Sequence, residues 1–146
     1  MSKHQDSVEP GAVDAACCFD WVSEQADRIG AEAAQVFADN GFAVVRKLFT
    51  EQEVAAWRRE CDRLWSSDEI TDPASFRVDL RSTEDGGRVA ERMDPVIDVS
   101  PLFAELARDS RIQDIVRQLL GDEPVLFKDK LIFKIPGTVG YPLHQD

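Results

Sequence analysis

The chain lacks any apolar run approaching the roughly 20 residues that a membrane span requires, which excludes a transmembrane helix. Its opening residues, Met1-Ser2-Lys3-His4-Gln5-Asp6, are polar with no apolar stretch behind them, so no secretory signal is expected. Basic side chains are scarce: 17 Lys and Arg stand against 28 Asp and Glu among 146 residues, a net charge of −11. With no basic cluster to offset that balance, phosphate backbones and anionic membranes are excluded as partners. The three cysteines, Cys17, Cys18 and Cys61, form an odd set without CxxC spacing, which is a poor disulfide framework and a poor metal grip. They are expected to be reduced, packed thiols in a cytoplasmic protein. Only two histidines occur, His4 and His144, too few ligands for a zinc hydrolase.

What is present is enough for one domain with a real core. Residues 1–13 are polar, broken by Glu9-Pro10-Gly11, and are expected to form a flexible N-terminus, with residues 14–146 as the folded part. From Asp14 the composition turns helical. Residues 31–40 are rich in helix formers and end at Gly41, where a helix stops. Phe42-Ala43-Val44-Val45 reads as a short buried strand. Thr50 and Glu53 match a capping box, after which Val54, Trp57, Cys61 and Leu64 recur on one helical face. Phe76 to Leu80 alternates as a strand, Asp85-Gly86-Gly87 signals a turn, and Arg88 to Met93 returns as the partner. Ser100-Pro101 supplies a cap and an N1 proline; Ser110 and Gln113 open another helix, closed by Gly121. Val125 to Ile135 then forms a long strand-like run broken by Pro136-Gly137. Helices come first and β-structure thickens later, which predicts an α+β fold.

The residues with the most chemical content close the sequence. In an extended segment His144 and Asp146 project to one face while Gln145 turns away. An imidazole and a carboxylate are two of the three groups of the facial triad of non-haem iron oxygenases. A surface histidine beside a solvated aspartate is the plainer alternative.

The sequence resembles the phytanoyl-CoA dioxygenase family, a branch of the Fe(II)/2-oxoglutarate-dependent oxygenases. Gly41-Phe42-Ala43-Val44-Val45-Arg46-Lys47-Leu48-Phe49-Thr50-Glu51-Gln52-Glu53-Val54 resembles the family's opening strand and helix. Lys130-Leu131-Ile132-Phe133-Lys134-Ile135-Pro136-Gly137, leading into His144-Gln145-Asp146, resembles its later signature. The resemblance implies N-terminal helices packed on the first strands of an incomplete double-stranded β-helix, or jelly-roll barrel. It implies a hydroxylase that uses Fe(II), 2-oxoglutarate and dioxygen on a small organic substrate, with His144 and Asp146 as metal ligands. Asp146 also separates the chain from halogenating relatives, which replace this carboxylate with a small residue.

The same resemblance nominates two contacts for 2-oxoglutarate. Lys128, Lys130, Ile132 and Lys134 share one face of the expected strand, opposite Phe127, Leu131, Phe133 and Ile135. Those lysines are either a solvated stripe or a cationic face toward the dianion, with Lys134 the candidate. Arg92 falls near where some relatives hold 2-oxoglutarate, the alternative being a surface hairpin arginine. The family's distal histidine, its 2-oxoglutarate-pairing arginine and most barrel strands have no counterpart in these 146 residues. The chain is therefore expected to be the N-terminal portion of such an oxygenase, inactive by itself. Alternatively it is a non-catalytic module that associates through open strand edges.

Overall fold

The computed structural model describes residues 15–72, 74–83 and 87–135. The expected flexible N-terminus, most of the Asp85-Gly86-Gly87 turn, Pro136-Gly137 and the His144-Gln145-Asp146 motif lie outside the described residues. In chain order the elements are β1 (Cys18–Asp20), α1 (Ala26–Asn40), β2 (Val44–Arg46), α2 (Glu51–Trp65), α3 (Asp68–Thr71), β3 (Val78–Ser82), β4 (Arg88–Met93), α4 (Pro101–Ala107), α5 (Ser110–Leu120) and β5 (Leu131–Ile132). Short 3-10 turns occupy Ala15–Cys17 and Ser23–Gln25. This mixture of helices and small sheets agrees with an α+β chain. Among the described residues no helix is long and apolar enough to cross a membrane.

The elements form two compact units. The first takes the described residues up to Thr50 together with Ser110–Pro124; the second takes Glu51–Asp109 and the described residues from Val125 on. In the first unit β1 and β2 pair in parallel, Cys18 with Val44 through Asp20 with Arg46. The helical reading from Asp14 is thus corrected at Cys18–Asp20, whose strand comes from a distant partner rather than from local propensity. The short strand expected at 42–45 is observed at Val44–Arg46, beginning two residues later and ending one later, and Phe42 is left exposed. α1 packs on α5 through Ile29, Gly30 and Ala33, with Ile115 buried on α5. The approach is close at Gly30, where an added Cβ would lie 2.3 Å from the Gln118 side-chain amide. Gly41 and Gly121 end the two helices in the left-handed conformation, φ 77° and 70°, each donating its N–H to a carbonyl four residues back. Both stops were legible in the sequence.

In the second unit the strands run β3-β4-β5, antiparallel throughout. The hairpin expected around Gly86-Gly87 is present as β3 and β4. Its alternation is broken once: Asp79 pairs with Arg92 but Leu80 pairs with Ala90, so Glu91 is an extra residue in β4. The bulge re-aims the strand, and Ala90 and Met93, three apart rather than two, are both buried. Leu64, Met93 and Val96 form the core of this unit, with Ile70, Val78, Ile97, Val99, Phe103, Leu131 and Phe133 packed around them. α2 joins it through its C-terminal end: Leu64 is buried, whereas Val54, on the same predicted face, is 42% exposed.

The eleven-residue strand expected over Val125–Ile135 is corrected to two paired residues, Leu131 and Ile132. Val125 and Phe127 are 86% and 97% exposed. The physical reason is that a strand needs a partner ladder, and among the described residues Val125–Lys130 pairs with none; Lys128 and Asp129 reach the Asp94–Ile97 segment through their side chains instead.

Replacing Met93, fully buried at the centre of the cluster, with alanine should lower unfolding stability by about 2–5 kcal/mol in urea titration. Gly41→Ala should cost about 1–2 kcal/mol through its left-handed backbone. Gly30→Ala should cost far less, because only the flexible end of Gln118 has to move.

Candidate functional site

Ser100 is where helix capping and core polarity meet. It precedes Pro101 in extended conformation, and its Oγ accepts the Phe103 N–H at 3.3 Å. The same hydroxyl, fully buried, donates to Glu60 Oε1 at 2.5 Å. Arg63, one turn along α2, donates to both Glu60 oxygens at 2.7 Å and to the Val99 carbonyl at 3.2 Å. The start of α4 is thereby tied to α2. The Arg63 hydrogen bonds, reinforced by Ser100 and opposed by partial burial, hold the Glu60 carboxyl down at about 2. Cys61 shifts the other way: burial and the neighbouring Asp62 and Glu60 carboxylates raise its thiol, which keeps it protonated and a poor metal ligand at neutral pH.

β5 is attached to this framework by two kinds of contact. Leu131 pairs with Met93 and Ile132 with Arg92, and the Phe133 N–H donates to the Glu91 carbonyl at 2.8 Å. Upstream, Asp129 Oδ2 accepts the Val96 N–H at 2.6 Å and the Ile97 N–H at 2.9 Å, while Lys128 Nζ lies 2.8 Å from Asp94 Oδ2. Sequence reading passed over Asp129. Its signal was parity: it shares the face of Phe127, Leu131 and Phe133, and an acid on an apolar face requires dedicated donors.

The predicted site residues are placed as follows. Arg92 lies on β4 opposite Asp79, with Nε 2.5 Å from Asp79 Oδ2 across the hairpin. Lys134 is exposed just beyond β5 and lines an open recess of about 210 Å³ with Cys61, Asp62, Trp65, Phe133 and Ile135. The recess is walled by the Trp65 and Phe133 rings, edge to face with centroids 4.9 Å apart. Arg92 is not among the residues lining that recess, so the structure does not gather the two basic candidates there. His144 and Asp146 fall outside the described residues. Among the described residues no three His, Cys, Asp or Glu side chains cluster as a metal site.

The Glu60 contacts carry a pH signature. Because the folded carboxyl titrates near 2 rather than 4.5, its stabilisation is complete above the unfolded value and is lost as pH falls toward 2. Glu60→Gln should cost about 1.5–3 kcal/mol at neutral pH and flatten the loss of stability between pH 4.5 and 2, read from denaturation midpoints.

No solved structure matches the chain. Sequence relatives do. Ectoine dioxygenase from Bordetella bronchiseptica is 32% identical over 115 residues, covering 79% of this chain and 35% of that protein. Ectoine dioxygenase from Streptomyces coelicolor is 32% identical over 120 residues, covering 81% and 38%. A 2-aminoethylphosphonate dioxygenase from an uncultured bacterium is 30% identical over 112 residues, covering 74% and 41%. In these three the chain spans 35% to 41% of the relative's length. The profile described as Phytanoyl-CoA dioxygenase (PhyH) matches residues 37–146, a stretch that includes β2 through β5 and the His144-Gln145-Asp146 motif. The chain belongs to the phytanoyl-CoA dioxygenase family.

Proposed function

We propose that this chain is the N-terminal part of an Fe(II)/2-oxoglutarate-dependent dioxygenase that hydroxylates a C–H bond of a small organic substrate in the cytoplasm. The observation that carries the reading is the His-x-Asp motif inside the segment matched to the family. In this reading the helices and the β3-β4-β5 sheet begin a jelly-roll barrel. Iron held by His144 and Asp146 together with 2-oxoglutarate would supply the oxidising power, dioxygen and 2-oxoglutarate going to succinate, carbon dioxide and the hydroxyl oxygen. The chain's own residues prepare that chemistry. His144 offers a neutral imidazole nitrogen and Asp146 an anionic oxygen, a pair suited to a ferrous ion. Lys134 would present an ammonium group to a 2-oxoglutarate carboxylate. Arg92 would do so only by releasing Asp79.

His144 and Asp146 are two of the three ligands a facial triad needs, and the family's distal histidine has no counterpart in these residues. The chain alone should therefore release no succinate from 2-oxoglutarate above a metal-free control. In a protein extended to the length of the relatives, anaerobic Fe(II) and 2-oxoglutarate should give the visible charge-transfer band of a chelated ferrous centre. His144→Ala and Asp146→Ala should each abolish it, and a band unchanged in both variants refutes the assignment.

One observation favours a second reading, a non-catalytic module that associates through open sheet edges: Val125, Leu126 and Phe127 are apolar, consecutive and largely exposed beside β5. Sedimentation of the 146-residue chain separates the two. A dimer abolished by Phe127→Asp supports association, and a monomer at all concentrations rejects it.

A further inference from the structure

We propose that Asp129 is a positioning residue that sets the register of β5 on β4.

The need for such a residue follows from how little β5 holds itself. It pairs with β4 at two positions only, Arg92 with Ile132 and Met93 with Leu131. The hydrophobic pattern forbids a slip by one residue, which would turn Lys130 and Lys134 onto the core face and expose Leu131 and Phe133. A slip by two is not forbidden. Leu131, Phe133 and Ile135 have the same parity, so moving the strand by two exchanges one apolar side chain for another opposite Met93.

Asp129 breaks that degeneracy. Its Oδ2 is shared by two consecutive amides, Val96 at 2.6 Å and Ile97 at 2.9 Å, and Val96 belongs to the buried core. A carboxylate accepting two backbone N–H groups is a charge-assisted contact with a narrow geometry. A two-residue slip carries it roughly 7 Å along the strand, beyond hydrogen-bond reach, and leaves both donors without it. Lys128, paired with Asp94 at 2.8 Å, adds a charge contact at the same register. The contact between Phe133 and Trp65 exists in this register and reports on it.

The test uses the 146-residue chain and amide hydrogen exchange, with the Phe133–Trp65 ring contact followed by NMR. In Asp129→Ala, exchange at the Phe133 N–H should rise at least tenfold and the ring contact should be lost. Asp129→Asn keeps an oxygen that can accept both amides and should remain within about threefold of the native rate. Unchanged exchange and ring contact in Asp129→Ala overturn the register role. Should Asp129→Ala not fold, Asp129→Glu serves: it keeps the charge but moves the carboxylate by one methylene. Faster Phe133 exchange than in Asp129→Asn then supports the role, and equal exchange overturns it.

Discussion

The second unit depends on one extra residue in β4. A regular strand would place Met93, Glu91 and Val89 on one face and Arg92 with Ala90 on the other. Inserting Glu91 against the Asp79–Leu80 step lets Ala90 and Met93 both enter the core while Arg92 stays opposite Asp79. Leu64 of α2, Val96 of the following turn and Leu131 of β5 then pack on or around Met93. Without the bulge, Met93 and Ala90 would lie on opposite faces of the hairpin.

Polar groups bind the pieces that apolar packing alone leaves loose. α4 is seven residues long and buries no residue completely, so its start is fixed instead by Ser100, Glu60 and Arg63. β5 is shorter still, and the carboxylate of Asp129 supplies what its ladder lacks. In each case an acidic side chain is partly withdrawn from water and given several donors, the condition under which such groups specify an arrangement. The acidic surplus of this sequence is thus in part structural. Membership of the phytanoyl-CoA dioxygenase family gives these attachments a context: they hold the strand from which the chain continues to its His-x-Asp motif.

Much was legible in the residues themselves. Gly41 and Gly121 announced two helix ends because the left-handed conformation they adopt penalises other residues. Ser100-Pro101 announced α4, and the strand pattern around Gly86-Gly87 announced the hairpin. Errors arose where pairing is non-local. Cys18–Asp20 became a strand because Val44–Arg46 lies beside it, and Val125–Lys130 did not because no described strand pairs with it. Lys128 appeared to belong to a charged stripe, yet its partner is Asp94, far away in sequence.

The sequence by itself determined where α1 and α5 end, where α4 begins, the hairpin and the family. Each of these is carried by local spacing or by a contiguous motif. The tertiary structure alone decided the β4 bulge, the shortness of β5, the Asp79 partner of Arg92 and the double use of Asp129. Those depend on which backbone amides and carboxylates meet across long chain separations. A linear pattern of polar and apolar residues states which faces are buried, but not which donor each buried acid will find.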